Sequence, residues 1–571
     1  MPRITIDGRE VDVPAGATVL DAARRLGIDI PTLCHLGGYE PSASCLVCVV
    51  KLRGSRRFVP SCATRVVDGM EVESETDEVR QARRTALELL LSDHLGDCVA
   101  PCELACPVHM DIPAMLREIQ EGDFAAAIRT IKCDIALPAV LGRVCPKPCE
   151  KGCRRGVADE SIAICALKAQ VAEFDLALET PYRPACEPDS GKRVAVVGAG
   201  PSGLAAAFHL TRAGHRVTLV DDQPLPGGRL RTEFDAATLP LDLVDSEIVQ
   251  ILEMGVSLLS DTPVADKAAF DRLRRENDAV LVCCGASGKD RAADWGLIAT
   301  DRGIRVEKGT YRTSVEGVFA GGNAVRAKGL VVRSVADGKE AADAIDAFLR
   351  AKPLDAPRRE FTVRAGRLDS DELAAMIEQI EPPTDDHATF TERKATLPAA
   401  PTTGDIVAFR SAKVASPRDD AGDSASANSP IISETIDAAR RRAARCLHCD
   451  CRGRHDCRLK RYAEQYDAHP NRYDGTRRKL VFLRGESGVI FEPGKCIDCE
   501  LCIQIASKSR DVLGLAFIGR GFDVRVGVPF DRSLDEALGR LAAECVAACP
   551  TAALSMGEPR PVSSLPILGQ R

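Results

Sequence analysis

The residues best suited to chemistry in this chain are thiols in tight groups and one glycine-rich turn. There are 24 cysteines among 571 residues. Cys34, Cys45, Cys48 and Cys62 are spaced C-x10-C-x2-C-x13-C. His94, Cys98, Cys102 and Cys106 follow one another at regular intervals, and Cys145, Cys149 and Cys153 form the next group. Cys446, Cys449, Cys451 and Cys457 lie within a dozen positions, as do Cys496, Cys499 and Cys502, with Cys549 farther on. Thiolates at such spacing hold iron–sulfur clusters or zinc. In a reducing compartment ligation is favoured over disulfides.

The glycine-rich turn is Gly198-Ala-Gly200-Pro-Ser-Gly203. A β-branched run from Arg193 precedes it, an Ala/Leu-rich helix follows, and a second strand, Arg216 to Val220, ends at Asp221. This is the βαβ dinucleotide fingerprint. Gly198 makes the tight turn, Gly200 lets the backbone approach a pyrophosphate, and Gly203 lets the helix pack on the strand. Asp221 is placed to hold a ribose hydroxyl.

The elements that position these groups can be read in outline. Short strands (Arg3–Ile6, Glu10–Val13) and a helix (Val19–Leu26) precede the first thiols, and the helix Val79–Leu91 leads to His94. A buried strand, Asp278 to Val282, ends in Cys283-Cys284-Gly285. Residues 351–435 are polar and rich in Pro, Ser and Asp, and read as a linker with one helix, Asp369–Ile380. A basic helix, Ile436–Arg445, enters the fourth thiol group. A net charge of −7 gives no support for a nucleic-acid partner. With no apolar signal region and no run of 18 apolar residues, the expectation is a cytoplasmic chain with no membrane segment. Five segments result: 1–80, 81–185, 186–350, 351–435 and 436–571.

Several stretches resemble known families. The first thiol group, with PSCATRVVDGMEV around Cys62, resembles the N-terminal [2Fe–2S] domain of the complex I large iron–sulfur subunit and its hydrogenase relatives. LELLLSDH resembles the same family, where such a histidine opens a cluster site completed by three cysteines. CPVHMDIP, VCPKPCEKGC and SIAICALK resemble the helical domain of the glutamate synthase small subunit and dihydropyrimidine dehydrogenase, which holds two [4Fe–4S] clusters. That resemblance implies His94, Cys98, Cys102 and Cys153 on one cluster and Cys106, Cys145 and Cys149 on the other. The family's Gln or Glu is replaced by Lys168. A lysine ammonium is a poor ligand, so Cys165, three residues earlier on the same helical face, is favoured as the fourth. Cys133, Cys186, Cys283 and Cys284 read as ordinary thiols.

In the same resemblance Gly227 and Gly228 are the second phosphate and flavin contact, Val264 meets the adenine, Gly285 ends the central strand, and Gly322-Asn323 closes the flavin site. Asn323 stands where the family has Asp. The relatives insert a complete NAD(P)H domain after the Asp278–Val282 strand. Here only residues 286–312 intervene, too few for another βαβ domain. At the C-terminus, Cys496, Cys499, Cys502 and Cys549 make the complete ligand set of one cluster of a two-cluster ferredoxin. Ala506, Gly539 and Ala542 replace three ligands of the other, leaving Cys545 as a remnant. Cys446, Cys449, Cys451 and Cys457 hold either a further cluster or zinc.

The expected fold is multi-domain α/β and α+β: a β-grasp [2Fe–2S] ferredoxin, a helical double-[4Fe–4S] domain, a Rossmann-like FAD domain and a C-terminal bacterial-ferredoxin-like domain. The expected cofactors are FAD, one [2Fe–2S] and three or four [4Fe–4S] clusters, with zinc as the alternative at 446–457. No catalytic acid–base constellation stands out. The mosaic implies an electron-transfer subunit of a larger oxidoreductase, with a molybdopterin formate dehydrogenase, hydrogenase or NADH-diaphorase partner. The alternatives are a self-sufficient NAD(P)H-dependent reductase and a structural iron–sulfur scaffold with a vestigial flavin site.

Overall fold

The computed structural model describes residues 1–326, 328–354, 360–380, 430–509 and 511–557. The chain divides into two compact units that are not contiguous in sequence. The first comprises Met1–Val99, Glu360–Gln379 and Cys449–Arg571, and the second Ala100–Arg359 and Ile380–His448. The second unit is thus made of two segments, separated in sequence by Glu360–Gln379 of the first. Much of the expected linker lies outside the described residues. Its helix, observed at Ser370–Glu378, belongs to the first unit.

In the first unit, β1 (Arg3–Ile6), β2 (Arg9–Asp12), β3 (Val49–Leu52), β4 (Phe58–Pro60) and β5 (Met70–Glu73) form one mixed sheet in the order β2-β1-β5-β3-β4. β1 runs parallel to β5, and the remaining pairs are antiparallel. The helix Val19–Arg25 begins in a capping box between Thr18 and Asp21. Its Val19, Leu20, Ala22 and Ala23 join Ile4, Ile6, Val50 and Val72 in the core. A sheet grasping one helix is the expected β-grasp.

The helix Asp77–Leu91 leads out of this domain, capped by Thr76. Its fully buried Arg83 donates to Tyr466 Oη at 2.8 Å, to the Val49 carbonyl at 3.1 Å and to Glu75 at 2.9 Å. Those bonds offset the cost of burying a guanidinium.

The second unit opens with short helices, Pro101–Ala105, Ile112–Glu121, Phe124–Asp134, Pro138–Val144, Pro148–Lys151 and Ile164–Leu176. A parallel sheet follows: β6 (Arg193–Val197), β7 (Arg216–Val220), β8 (Ser257–Leu259), β9 (Ala279–Val282) and β12 (Val318–Ala320), in the order β12-β9-β6-β7-β8. Strand order reverses beside β6, the place where such sheets open a ligand crevice. Between β9 and β12 lie only a short helix, Ser287–Arg291, and the hairpin of β10 (Ala299–Thr300) and β11 (Gly303–Ile304). Trp295, Leu297 and Ile304 tuck this connection against the sheet. Among the described residues there is a single such parallel sheet. The helix Pro430–Ala443 closes the unit, starting earlier than the expected Ile436.

The C-terminal part of the first unit carries β13 (Leu483–Arg484), β14 (Val489–Phe491) and β17 (Leu554–Met556) in one antiparallel sheet, and a β15–β16 hairpin (Ala516–Ile518, Arg525–Gly527). The helices Leu501–Ser507 and Ala542–Ala548 pack on each other.

Candidate cofactor sites

The first thiol group resolves into two pairs. Cys34 Sγ lies 3.3 Å from Cys45 Sγ, and Cys48 Sγ lies 3.4 Å from Cys62 Sγ. Two thiolates on one tetrahedral metal at about 2.3 Å are roughly 3.8 Å apart. Each pair is therefore spaced for one iron of a two-iron cluster. The β3–β4 hairpin fixes the second pair, because Ser61 N–H donates to the Cys48 carbonyl at 3.1 Å. Ala43 and Leu46 take the left-handed conformation in the loop that carries Cys45. All four thiols are buried. The bond with Cys45 draws the Cys34 thiol down and pushes Cys45 up. The bond with Cys62 likewise draws Cys48 down to about 7. Thiolate is the form that ligates metal.

The helical part of the second unit gathers Cys145, Cys149 and Cys165. Cys165 is the first neighbour felt by Cys145, and Cys165 in turn feels Cys145 and then Cys149. Three features bring them together. Gly142 lets Pro138–Val144 lie against Ile164–Leu176, since a Cβ there would fall 2.5 Å from Ala169 Cβ. Glu247, from the helix Leu241–Leu252, accepts the N–H groups of Ala139 and Val140 at 2.8 and 2.9 Å. It thereby caps a helix whose own N-cap, Leu137, offers no side-chain bond. Burial pushes the Glu247 carboxyl up to about 7. Finally, Glu150 accepts the Cys165 N–H at 2.9 Å.

Cys106 is buried in the same apolar cluster as these three thiols, and Cys102 and Cys153 pack against that cluster, which also includes Cys446. Lys168 is 5% exposed, and its charge partly opposes the upward shift that neighbouring thiols and burial impose on Cys145 and Cys165. It supplies positive charge beside the thiols.

Of the grouping His94, Cys98, Cys102 and Cys153, the first two belong to the first unit and the last two to the second. Of the 446–457 group, Cys446 belongs to the second unit and the other three to the first. Within the first unit, Cys451 N–H donates to the Cys98 carbonyl at 3.5 Å. Cys451 acts electrostatically on both Cys98 and Cys457. Burial lowers His94 to about 3, leaving its imidazole neutral. Cys496, Cys499 and Cys502 each feel Cys549. Backbone N–H groups of Asp498 and Leu554 reach Cys496 Sγ and Cys549 Sγ at 3.4 and 3.5 Å. Cys545 is buried, and its thiol meets the Cys502 carbonyl at 3.9 Å.

Among the described residues no three His, Cys, Asp or Glu side chains converge tightly enough to hold a single ion. A zinc ion needs four ligands within about 2.3 Å of one point. A cubane distributes its ligands over four iron corners and makes no such demand.

The glycine-rich turn borders a cavity of about 390 Å³ at the carboxyl ends of β6, β7 and β9. Its lining includes Gly198, Gly200, Asp221, Gly228, Val264 and Gly285, and also Asn323. Gly198 has φ +105°, and a Cβ there would fall 2.7 Å from the Cys283 backbone. A Cβ on Gly203 would lie 1.9 Å from the Gly198 carbonyl oxygen, so Gly203 serves packing and does not line the cavity. A Cβ on Gly200 would meet nothing within 4 Å, which leaves that backbone open to a ligand. Asp221 accepts the N–H groups of Ala199 and Gln223. Asn323 Oδ1 is buried with no partner. An open cradle at a helix N-terminus with an orphaned polar atom beside it fits the diphosphate and sugar of a dinucleotide. Gly227 and Gly322 sit behind the lining: each has positive φ, and a Cβ on Gly322 would lie 2.8 Å from Ser202 Cβ.

Sequence reasoning missed Trp295 and Arg291. Both line the cavity, and both donate to the Val264 carbonyl, at 3.1 and 3.4 Å. Trp295 is the chain's sole tryptophan, stacked on Phe270 at 5.3 Å. Its singularity was the only available signal. Cys283 is buried and meets Ser202 Oγ at 3.3 Å, while Cys284 is half-buried at the cavity wall. Cys133 and Cys186 are exposed.

Comparison with known proteins places three domain families along the chain. Residues 2–77 match a 2Fe-2S iron-sulfur cluster binding domain. Residues 74–180 match dihydropyrimidine dehydrogenase domain II, 4Fe-4S cluster. Residues 176–338 match the pyridine nucleotide-disulphide oxidoreductase family. The NADP(+)-dependent formate dehydrogenase subunit beta of Moorella thermoacetica is 36% identical over 225 residues, covering 36% of this chain and 31% of that one. The NAD-dependent dihydropyrimidine dehydrogenase subunit PreT of Escherichia coli (strain K12) is 39% identical over 192 residues, 33% of this chain and 46% of that one. The NADP-reducing hydrogenase subunit HndD of Solidesulfovibrio fructosivorans is 53% identical over 114 residues, 18% of this chain and 20% of that one. The matched stretch spans less than half of each relative.

Proposed function

We propose, from the fusion of 2Fe-2S and 4Fe-4S cluster domains to a pyridine nucleotide-disulphide oxidoreductase domain, that the chain is an electron-transfer subunit of a larger oxidoreductase of the formate dehydrogenase, hydrogenase or diaphorase type. The observation that carries this reading is the joining of paired thiols and a dinucleotide cradle in one chain.

Bound FAD would exchange two electrons with a donor or acceptor, and the clusters would pass them singly. The chain's own residues supply position and electrostatics. Gly198, Gly200 and the N-terminus of the helix Pro201–Arg212 bind the diphosphate, with Asp221 on the ribose. Asn323 turns its free carbonyl oxygen to a hydroxyl of the ligand. Cys34, Cys45, Cys48 and Cys62 hold a two-iron cluster in a buried loop. Cys106, Cys145, Cys149 and Cys165 hold one four-iron cluster, with the Lys168 ammonium close by to favour its reduced state. Cys496, Cys499, Cys502 and Cys549 hold another.

Anaerobic purification followed by cofactor extraction tests the reading. FAD and acid-labile sulfide are expected together. Iron without flavin would leave a scaffold, and flavin without iron would leave a flavoprotein with ordinary thiols.

A further inference from the structure

Within the first unit the fold brings segments far apart in sequence together at one group of thiols. Cys98 is the last cysteine of the Met1–Val99 segment, and Cys451 and Cys457 lie in the Cys449–Arg571 segment. All three belong to the first unit. The Cys451 N–H reaches the Cys98 carbonyl at 3.5 Å, and Cys457 lies within electrostatic reach of both. The Lys460 N–H is directed at Cys457 Sγ at 3.4 Å, and the Val363 N–H at the Cys98 thiol. Backbone donors aimed at sulfur are a usual surrounding of cluster ligands.

Two polar groups linked to these thiols through Lys495 have no role in the sites described so far. The imidazole of His94 meets the Lys495 backbone, and its Nδ1 is buried without a partner. A ring with one nitrogen tied to the backbone and the other left free is arranged as metal-ligating histidines are. Lys495 is 4% exposed, and its Nζ lies 3.6 Å from Cys451 Sγ. Its counter-ion is the buried Glu492, at 2.8 Å, which Arg452 also meets at 3.0 Å. A buried ammonium held against a thiol by its own carboxylate makes sense where that sulfur carries negative charge.

We propose that His94, Cys98, Cys451 and Cys457 hold one iron–sulfur cluster, with ligands drawn from two distant segments of the first unit and the Lys495 ammonium set against it as a positioning charge. This rests on the reading of the chain as an iron–sulfur protein. Loading the site ties Cys98 to Cys451 within the first unit. Cys102 and Cys153 then belong to a different site.

Alkylation of the holoprotein under anaerobic conditions, read by peptide mass spectrometry, tests the ligand set. A bound cluster shields its thiols. In Cys98→Ser, Cys451 and Cys457 should become alkylated while Cys102 and Cys153 stay protected. Labelling of Cys102 and Cys153 with Cys451 and Cys457 still protected would overturn the proposal. Wild-type protein in which every thiol labels would instead refute the iron–sulfur reading itself. Should Cys98→Ser fail to fold, exposing Cys34 as well, Lys495→Met decides, because it retains every ligand. In a redox titration followed by electron paramagnetic resonance, one cluster signal should move to more negative potential while the others hold. Signals that all stay in place would overturn the assignment.

Discussion

At the scale of single residues, the thiols are distinguished by what surrounds them. Cys165 and Lys168 share one helical face, but Cys165 reaches Cys145 and Cys149 while Lys168 contributes only charge. Replacing Cys165 with alanine should abolish one four-iron signal or convert it to a three-iron form in electron paramagnetic resonance. An unchanged spectrum would return the fourth position to another group. Glu247 gives a second expectation. Its folded pKa, about 7, lies above its ordinary value of 4.5 because it is buried. The folded state therefore holds its proton more tightly than the unfolded chain does. The stability linked to this group is fully present below about pH 4.5 and is lost as pH rises toward 7. Glu247→Gln cannot ionise, so between pH 5 and 7 its thermal midpoint should depend less steeply on pH than that of the wild type. Parallel curves would show that Glu247 does not titrate there.

At the scale of elements, helix packing sets where the thiols meet. Gly142 is the contact point of Pro138–Val144 on Ile164–Leu176, with no room for a Cβ. Gly142→Val should push these helices apart and cost about 1–3 kcal/mol as an overpacked core. It should also release about four iron atoms per chain, measured by iron analysis beside thermal unfolding. Full iron content in the variant would mean that helix spacing does not set the ligand geometry. The strand–turn–helix of the cradle acts in a similar way. Gly203 lies against the Gly198 carbonyl, so Gly203→Val should displace the helix N-terminus and lower FAD retention without changing iron.

At the scale of the whole molecule, the short β9–β12 connection decides what the chain can do alone. Hydride transfer needs a nicotinamide held about 3–3.5 Å from its acceptor. Here the helix Ser287–Arg291 and the β10–β11 hairpin are the regular elements of the connection. Purified chain titrated with NADH or NADPH should therefore bleach slowly or not at all, while dithionite reduces it promptly. Rapid stoichiometric bleaching would make it a self-sufficient reductase. Total iron should come to about 14 atoms per chain, or about 18 if a further cluster is present. No helix among the described residues is long and apolar enough to cross a membrane.

What the sequence by itself determined is what is local in the chain. The glycine turn, its flanking strands and Asp221 all fall within some thirty residues, where spacing dictates geometry. The same holds for Cys45 and Cys48 on one loop, and for the shortness of the β9–β12 connection. The tertiary structure alone decided which thiols share a neighbourhood. Cys98 has Cys102 close by in sequence, and the fold brings the distant Cys451 N–H to the Cys98 carbonyl at 3.5 Å. Trp295 reaches the cavity only because a hairpin folds back over the sheet. The helix Ser370–Glu378 sits in a stretch whose composition reads as linker, but it is held by Arg477 on Glu372 at 2.8 Å. The physical reason is common to all three. Neighbours in sequence are constrained by bond geometry, whereas the meeting of distant segments is settled by burial and side-chain pairing, which no short window of residues contains.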